Sequence, residues 1–96
     1  MSYFIKTETI KSTYLKEIYF KNKIIEEHIS WVKKLLKEGL NIKSGFLVDK
    51  HKQSGAGGVL IIECDSFEEA EKIIQKDPMI KNNIVDWNLN EWINII

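Results

Sequence analysis

His28 stands near the centre of an apolar helical stripe, where a titratable ring is least expected. The segment Lys21–Gly39, KNKIIEEHISWVKKLLKEG, reads as an amphipathic helix at about 100° per residue. Ile24, Ile25, Ile29, Trp31, Val32, Leu35 and Leu36 share one face with His28, while Glu26, Ser30, Lys33, Lys34 and Lys37 take the other. An imidazole on the apolar face needs a hydrogen-bond partner or a pocket, because burying an unpaired polar group costs about 1–3 kcal/mol. Asp77 is the candidate partner. A carboxylate that accepts from one ring nitrogen fixes the tautomer and leaves the other nitrogen to move a proton on or off a substrate. The plainer reading of the same residues is a buried structural pair, with Asp77 a helix cap and the imidazole merely satisfied.

The order of the elements is what brings His28 and Asp77 together. Tyr3–Ile10 alternates as a first strand, and Ser12–Phe20 is a connector or an early helical turn. The His28 helix stops at Gly39, a natural left-handed C-terminal residue. Asn41–Asp49 gives a second strand, with Ile42, Ser44, Phe46 and Val48 on one side. Lys50–Gly58 (KHKQSGAGG) reads as a polar glycine-rich turn, and Gly58–Cys64 as a third strand. A second helix over Ser66–Lys76 opens on a capping box, Ser66 with Glu69 three residues on, and ends at Asp77–Pro78. Asn83–Ile95 supplies the last strand, with Val85, Trp87, Leu89, Ile93 and Ile95 in phase. The order β-α-β-β-α-β defines an α+β, ferredoxin-like single domain over residues 1–96, a four-stranded antiparallel sheet with two helices on one face. In that topology the first half of helix one and the end of helix two meet at one edge.

Composition narrows the classes of function. The 96 residues suffice for one two-layer core, and the net charge of zero gives no pull toward nucleic acid or an anionic membrane. All 14 basic residues are Lys, so bidentate guanidinium clamps for phosphate or carboxylate are absent. Gly55, Gly57 and Gly58 resemble a phosphate loop only in composition, since a strand follows them and no Gly-Lys-Ser/Thr does. One Cys and two His match no metal-ligand spacing, and neither a nucleophile elbow nor a Cys–His arrangement is apparent. No cofactor and no metal are therefore expected. His51 belongs to the polar turn and reads as solvated; Cys64, within VLIIEC, reads as a small core residue. The N-terminus MSYFIKTETIK alternates like a strand rather than a secretory leader, and the expected location is cytoplasmic.

Val59, Leu60, Ile61 and Ile62 run consecutively, so both faces of the third strand call for burial. Helices cover one face. Phe4, Ile10, Ile84 and Trp92 also fall out of phase with the helix-facing set, and a second copy packed sheet to sheet would cover them all, which predicts a homodimer.

From His28 to Trp92 the chain resembles the YciI-like (YCII-related) family of small bacterial proteins. The similar pieces are HISWVKKLLKEG, the pair Ser44–Gly45, and GGVLIIECDSFEEAEKIIQKDPMIKNNIVDWNLNEW from Gly57 onward. The resemblance implies a dimeric α/β barrel made of two ferredoxin-like domains, with an active site at His28 and Asp77. Three positions depart from the pattern: Ile24 and Ile25 stand where Arg is frequent, Phe46 where Pro is common, and Met79 where an aromatic often follows Asp-Pro. Trp31, Ser44, Gly45 and Pro78 are the expected pocket-lining residues, with Gly45 allowing close backbone approach and Trp31 a stacking surface. The resulting expectation is a cofactor-independent acid/base enzyme of isomerase or lyase type, acting on a small organic molecule. The rival is a non-catalytic small-molecule-binding or interaction module on the same dimeric fold.

Overall fold

A computed structural model describes residues 1–96. Strand β1 (Ser2–Ile10) leads through a 3-10 turn at Ser12–Tyr14 into helix α1 (Ile18–Lys37). Then come β2 (Ile42–Val48), β3 (Ser54–Cys64), α2 (Phe67–Ile74), a one-turn α3 (Pro78–Lys81) and β4 (Val85–Trp92). All ladders are antiparallel, in the spatial order β2-β3-β1-β4, so the ferredoxin-like arrangement is present. No helix is long and apolar enough to cross a membrane.

Local signals account for most boundaries. Gly39 follows α1 at φ +93°, a conformation in which a side chain is strained. Ser66 caps α2 by accepting from the Glu69 N–H at 3.1 Å, while the Glu69 carboxylate reaches back to the Asp65 N–H at 3.2 Å. The glycine-rich segment departs from expectation. The turn closes by Gln53, and β3 starts at Ser54 because Val48 pairs with Ser54 beyond a register shift in β2. Pro78 does not merely end a helix; it opens α3 at the first helical position.

Helix-side packing is built on Leu60, Ile62 and Cys64 of β3, Phe4 of β1 and Ile42 of β2, against Val32, Ala70 and Ile74 of the helices. A second cluster joins Ile24 of α1 to Met79, Ile84 and Val85. Within α1, Ile24 and Val32 are buried but Ile29 and Leu36, on the flanks of the stripe, remain exposed. Ile93 and Ile95 lie beyond the end of β4 and are exposed rather than in phase with it.

The expected phase of β1 is reversed. Phe4 faces the helices and is buried, Ile84 is buried just before β4, and Ile10 packs partly against the second cluster. The reason is chemical: Lys6, aligned with Phe4, is a core residue, so a pattern that assigns charge to solvent turns the strand the wrong way round. Trp92 does lie on the uncovered face, beside Tyr3 with ring centroids 6.3 Å apart.

Candidate active site

Asp77 is fully buried, at 0% exposure, and each of its oxygens is engaged. As the N-cap of α3 it accepts the Met79 N–H on Oδ1 at 2.9 Å, which ties that oxygen to the local backbone. The same Oδ1 lies 2.8 Å from His28 Nδ1. Oδ2 accepts from Lys6 Nζ at 2.5 Å. Thus the capping role and the histidine pairing coexist on one atom.

Lys6 is the residue that sequence reasoning missed. Its side chain is 0% exposed, and its ammonium also pairs with Glu8, two residues along the same face of β1. A buried lysine is rare unless paired, and here two carboxylates pair with it. The available signal was the spacing Phe4-Lys6-Glu8-Ile10, two charges flanked by apolar residues at period two.

Burial pushes the Asp77 carboxyl up, but the hydrogen bond from His28, the Lys6 charge and the other contacts to these two partners outweigh it. The net effect holds Asp77 below the usual carboxylate range, so it is ionised at neutral pH. An ionised carboxylate only accepts, so Nδ1 of His28 carries the proton facing it. With neutral imidazole, Nε2 then has a free lone pair, and it accepts the hydroxyl proton of Ser44 across 2.7 Å. His28 itself is only 13% exposed at its side chain, whereas Ser44 is exposed on β2.

The remaining expected site residues divide. The Trp31 ring lies 5.9 Å from the His28 ring at a 41° tilt, partly buried against the core. Gly45 sits next to Ser44, but nothing lies within 4 Å of where its Cβ would be, so no neighbour occupies the space a side chain would fill. Pro78 supports the site indirectly, by setting the start of the helix that Asp77 caps. Cys64 takes no part: burial, then the charges of Glu69, Asp65 and Glu63, push its thiol up to about 11, which leaves it unreactive.

No curated protein matches the chain. Among solved structures it is similar to 5-chloro-2-hydroxyhydroquinone dehydrochlorinase (TftG) from Burkholderia phenoliruptrix AC1100, in complex with 2,5-dihydroxybenzoquinone. That similarity has a TM-score of 0.72 at 16% identity, covering 96% of this chain and 94% of that one. It is also similar to a de novo designed protein, Ferredog-Diesel, at a TM-score of 0.57 and 15% identity, covering 94% and 84% of the two chains. At such identities the likeness is one of fold. The family model of the YCII-related domain matches residues 1–93, nearly the full length, and the chain therefore belongs to the YCII-related family.

Proposed function

We propose that this protein is a small acid/base enzyme of isomerase or lyase type, moving a proton on a small organic molecule with His28 as the base and Asp77 as its anchor. The observation that carries the reading is the 2.8 Å contact of His28 Nδ1 with a carboxylate already fixed by Lys6 and the Met79 N–H. Ionised Asp77 stabilises the imidazolium that forms when Nε2 takes a proton, and its other bonds keep it from moving as the charge appears. Ser44 occupies Nε2 through a hydroxyl on a single side-chain torsion, so rotation of that torsion uncovers the lone pair. Elimination of HCl requires removal of a proton as well as departure of chloride, and the structural neighbour named as a dehydrochlorinase supports that class of chemistry here.

The test is solvent deuterium exchange followed by proton NMR, with chlorinated hydroxyhydroquinones, enolisable ketones and unsaturated lactones as probes. The native chain should exchange or convert at least one of them. His28→Ala should lose about 10²–10⁴-fold, the usual contribution of a positioned base, and Asp77→Asn should also slow the reaction. Equal rates in all three proteins would overturn the reading. A probe that binds through His28 but neither exchanges nor reacts would favour the non-catalytic module instead.

The proposed working unit is a homodimer. Tyr3, Ile5, Leu47, Val59, Ile61 and Trp92 alternate onto the sheet face that no helix covers, and Tyr3, Leu47 and Trp92 are exposed there. Light scattering at micromolar concentration should give twice the 11.2 kDa chain mass, and a monomeric mass would contradict the assembly.

A further inference from the structure

The hydroxyl of Ser44, the imidazole of His28 and the carboxylate of Asp77 form one unbroken line. Ser44 Oγ is 2.7 Å from Nε2, and Nδ1 is 2.8 Å from Oδ1. We propose that Ser44 is a nucleophile and that this site has a second activity: acyl transfer from small apolar esters or lactones. The proposal shares the His28–Asp77 pair with the proton-transfer reading but asks something different of Nε2, which here takes its proton from Ser44.

Two features beyond the relay favour the assignment. Ser44 is exposed while the groups behind it are not, so an ester can reach Oγ and water cannot freely reach the carboxylate. Its backbone N–H is also unclaimed by the sheet. Asn41 engages β3, its carbonyl accepting the Glu63 N–H at 3.0 Å, and the ladder alternates by two residues. Residues 43 and 45 therefore turn their backbone groups toward β3, and Ser44 turns its own outward. Because β2 is the sheet edge, nothing in the chain pairs with that N–H, which is placed to stabilise an oxyanion formed at Ser44. Trp31 behind the His28 ring and Phe46, 72% exposed two residues along β2, give the apolar surround that selects an apolar acyl or alkoxy group.

In the acylation step the Ser44 Oγ–C bond forms at the carbonyl carbon while the hydroxyl proton passes to Nε2. Collapse breaks the C–O bond to the leaving alcohol, which takes the proton from Nε2. Water then attacks the acyl-serine, losing a proton to Nε2, and the Oγ–C bond breaks as Oγ recovers a proton.

The probe is an alkyl fluorophosphonate, which forms an Oγ–P bond and expels fluoride with the proton, read by intact mass and peptide mapping. The expected result is one adduct on the peptide holding Ser44, absent in Ser44→Ala and formed at least ten-fold more slowly in His28→Asn. p-Nitrophenyl acetate should give a one-equivalent burst in the native chain only. Labelling that fails in the native chain, or that persists in Ser44→Ala, overturns the nucleophile. Deuterium exchange on the same samples separates the two readings. Exchange without labelling removes the nucleophile alone, and labelling without exchange removes the proton-transfer activity and leaves the nucleophile.

Discussion

Lys6→Met unfolds at a denaturant midpoint far below that of the native chain, with a loss of about 3–5 kcal/mol at neutral pH. Methionine fills nearly the volume of the lysine stem, so the loss does not come from a cavity. It comes from leaving the buried Asp77 carboxylate, and Glu8 beside it, without the ammonium that both now share. Set against the roughly 5–15 kcal/mol that holds an ordinary domain together, this brings the fold close to its limit.

The pH dependence gives the prediction its sign. In the native chain the folded-state pKa of Asp77 lies below its unfolded value, so its contribution is complete above the unfolded value and is lost as pH falls through the folded one. In Lys6→Met two of the influences that lower it are gone, while burial, which raises it, remains. The gap between the two proteins is therefore widest near neutrality and narrows on acidification, as the mutant's carboxyl takes up a proton. Urea denaturation at pH 7 and again near pH 4 measures it. A gap that stays constant with pH would mean that lysine packing, not charge, is what is lost.

Gly57→Ala costs about 2–5 kcal/mol, combining left-handed backbone strain with steric overlap. Gly57 has φ +99°, and a Cβ there would stand 2.2 Å from the backbone carbonyl oxygen of Glu8. That oxygen belongs to a strand and cannot swing aside like a side-chain tip. Gly55→Ala is the control: φ is +134°, but nothing lies within 4 Å of the added methyl, so only the backbone strain of about 1–2 kcal/mol applies. Thermal unfolding of both variants separates the two contributions. Equal destabilisation would show that β1 yields at Glu8.

Periodicity and capping made most of the architecture legible. The Ser66–Glu69 signature, Gly39 and the Asp-Pro pair mark boundaries through local chemistry, and local chemistry is what a linear pattern carries best. The His28–Asp77 meeting followed from topology, because two antiparallel crossover helices on one face of the sheet bring the first half of one to the same edge as the end of the other. Lys6 stayed hidden for the opposite reason. Its burial depends on Asp77 and Glu8, one of them 71 residues away, and hydrophobic patterning counts a charge as solvent-facing whatever its partner. The same bias inverted β1 and placed Phe4 on the wrong face. Ser44 was expected only to shape a pocket wall. Its line to Nε2 depends on side-chain torsions across two elements, which residue spacing does not encode.

Strand β1 presents Lys6 to the carboxylate on one side and Ile5 and Thr7 to the bare side of the sheet. The hold of Lys6 on Asp77 is thus carried by a ribbon one residue thick, whose reverse is the surface a second copy would press upon. Whatever settles there leans directly on the strut behind the charged pair. A second copy docked on that face would bear on the backbone that carries Lys6, with no intervening layer to absorb the load.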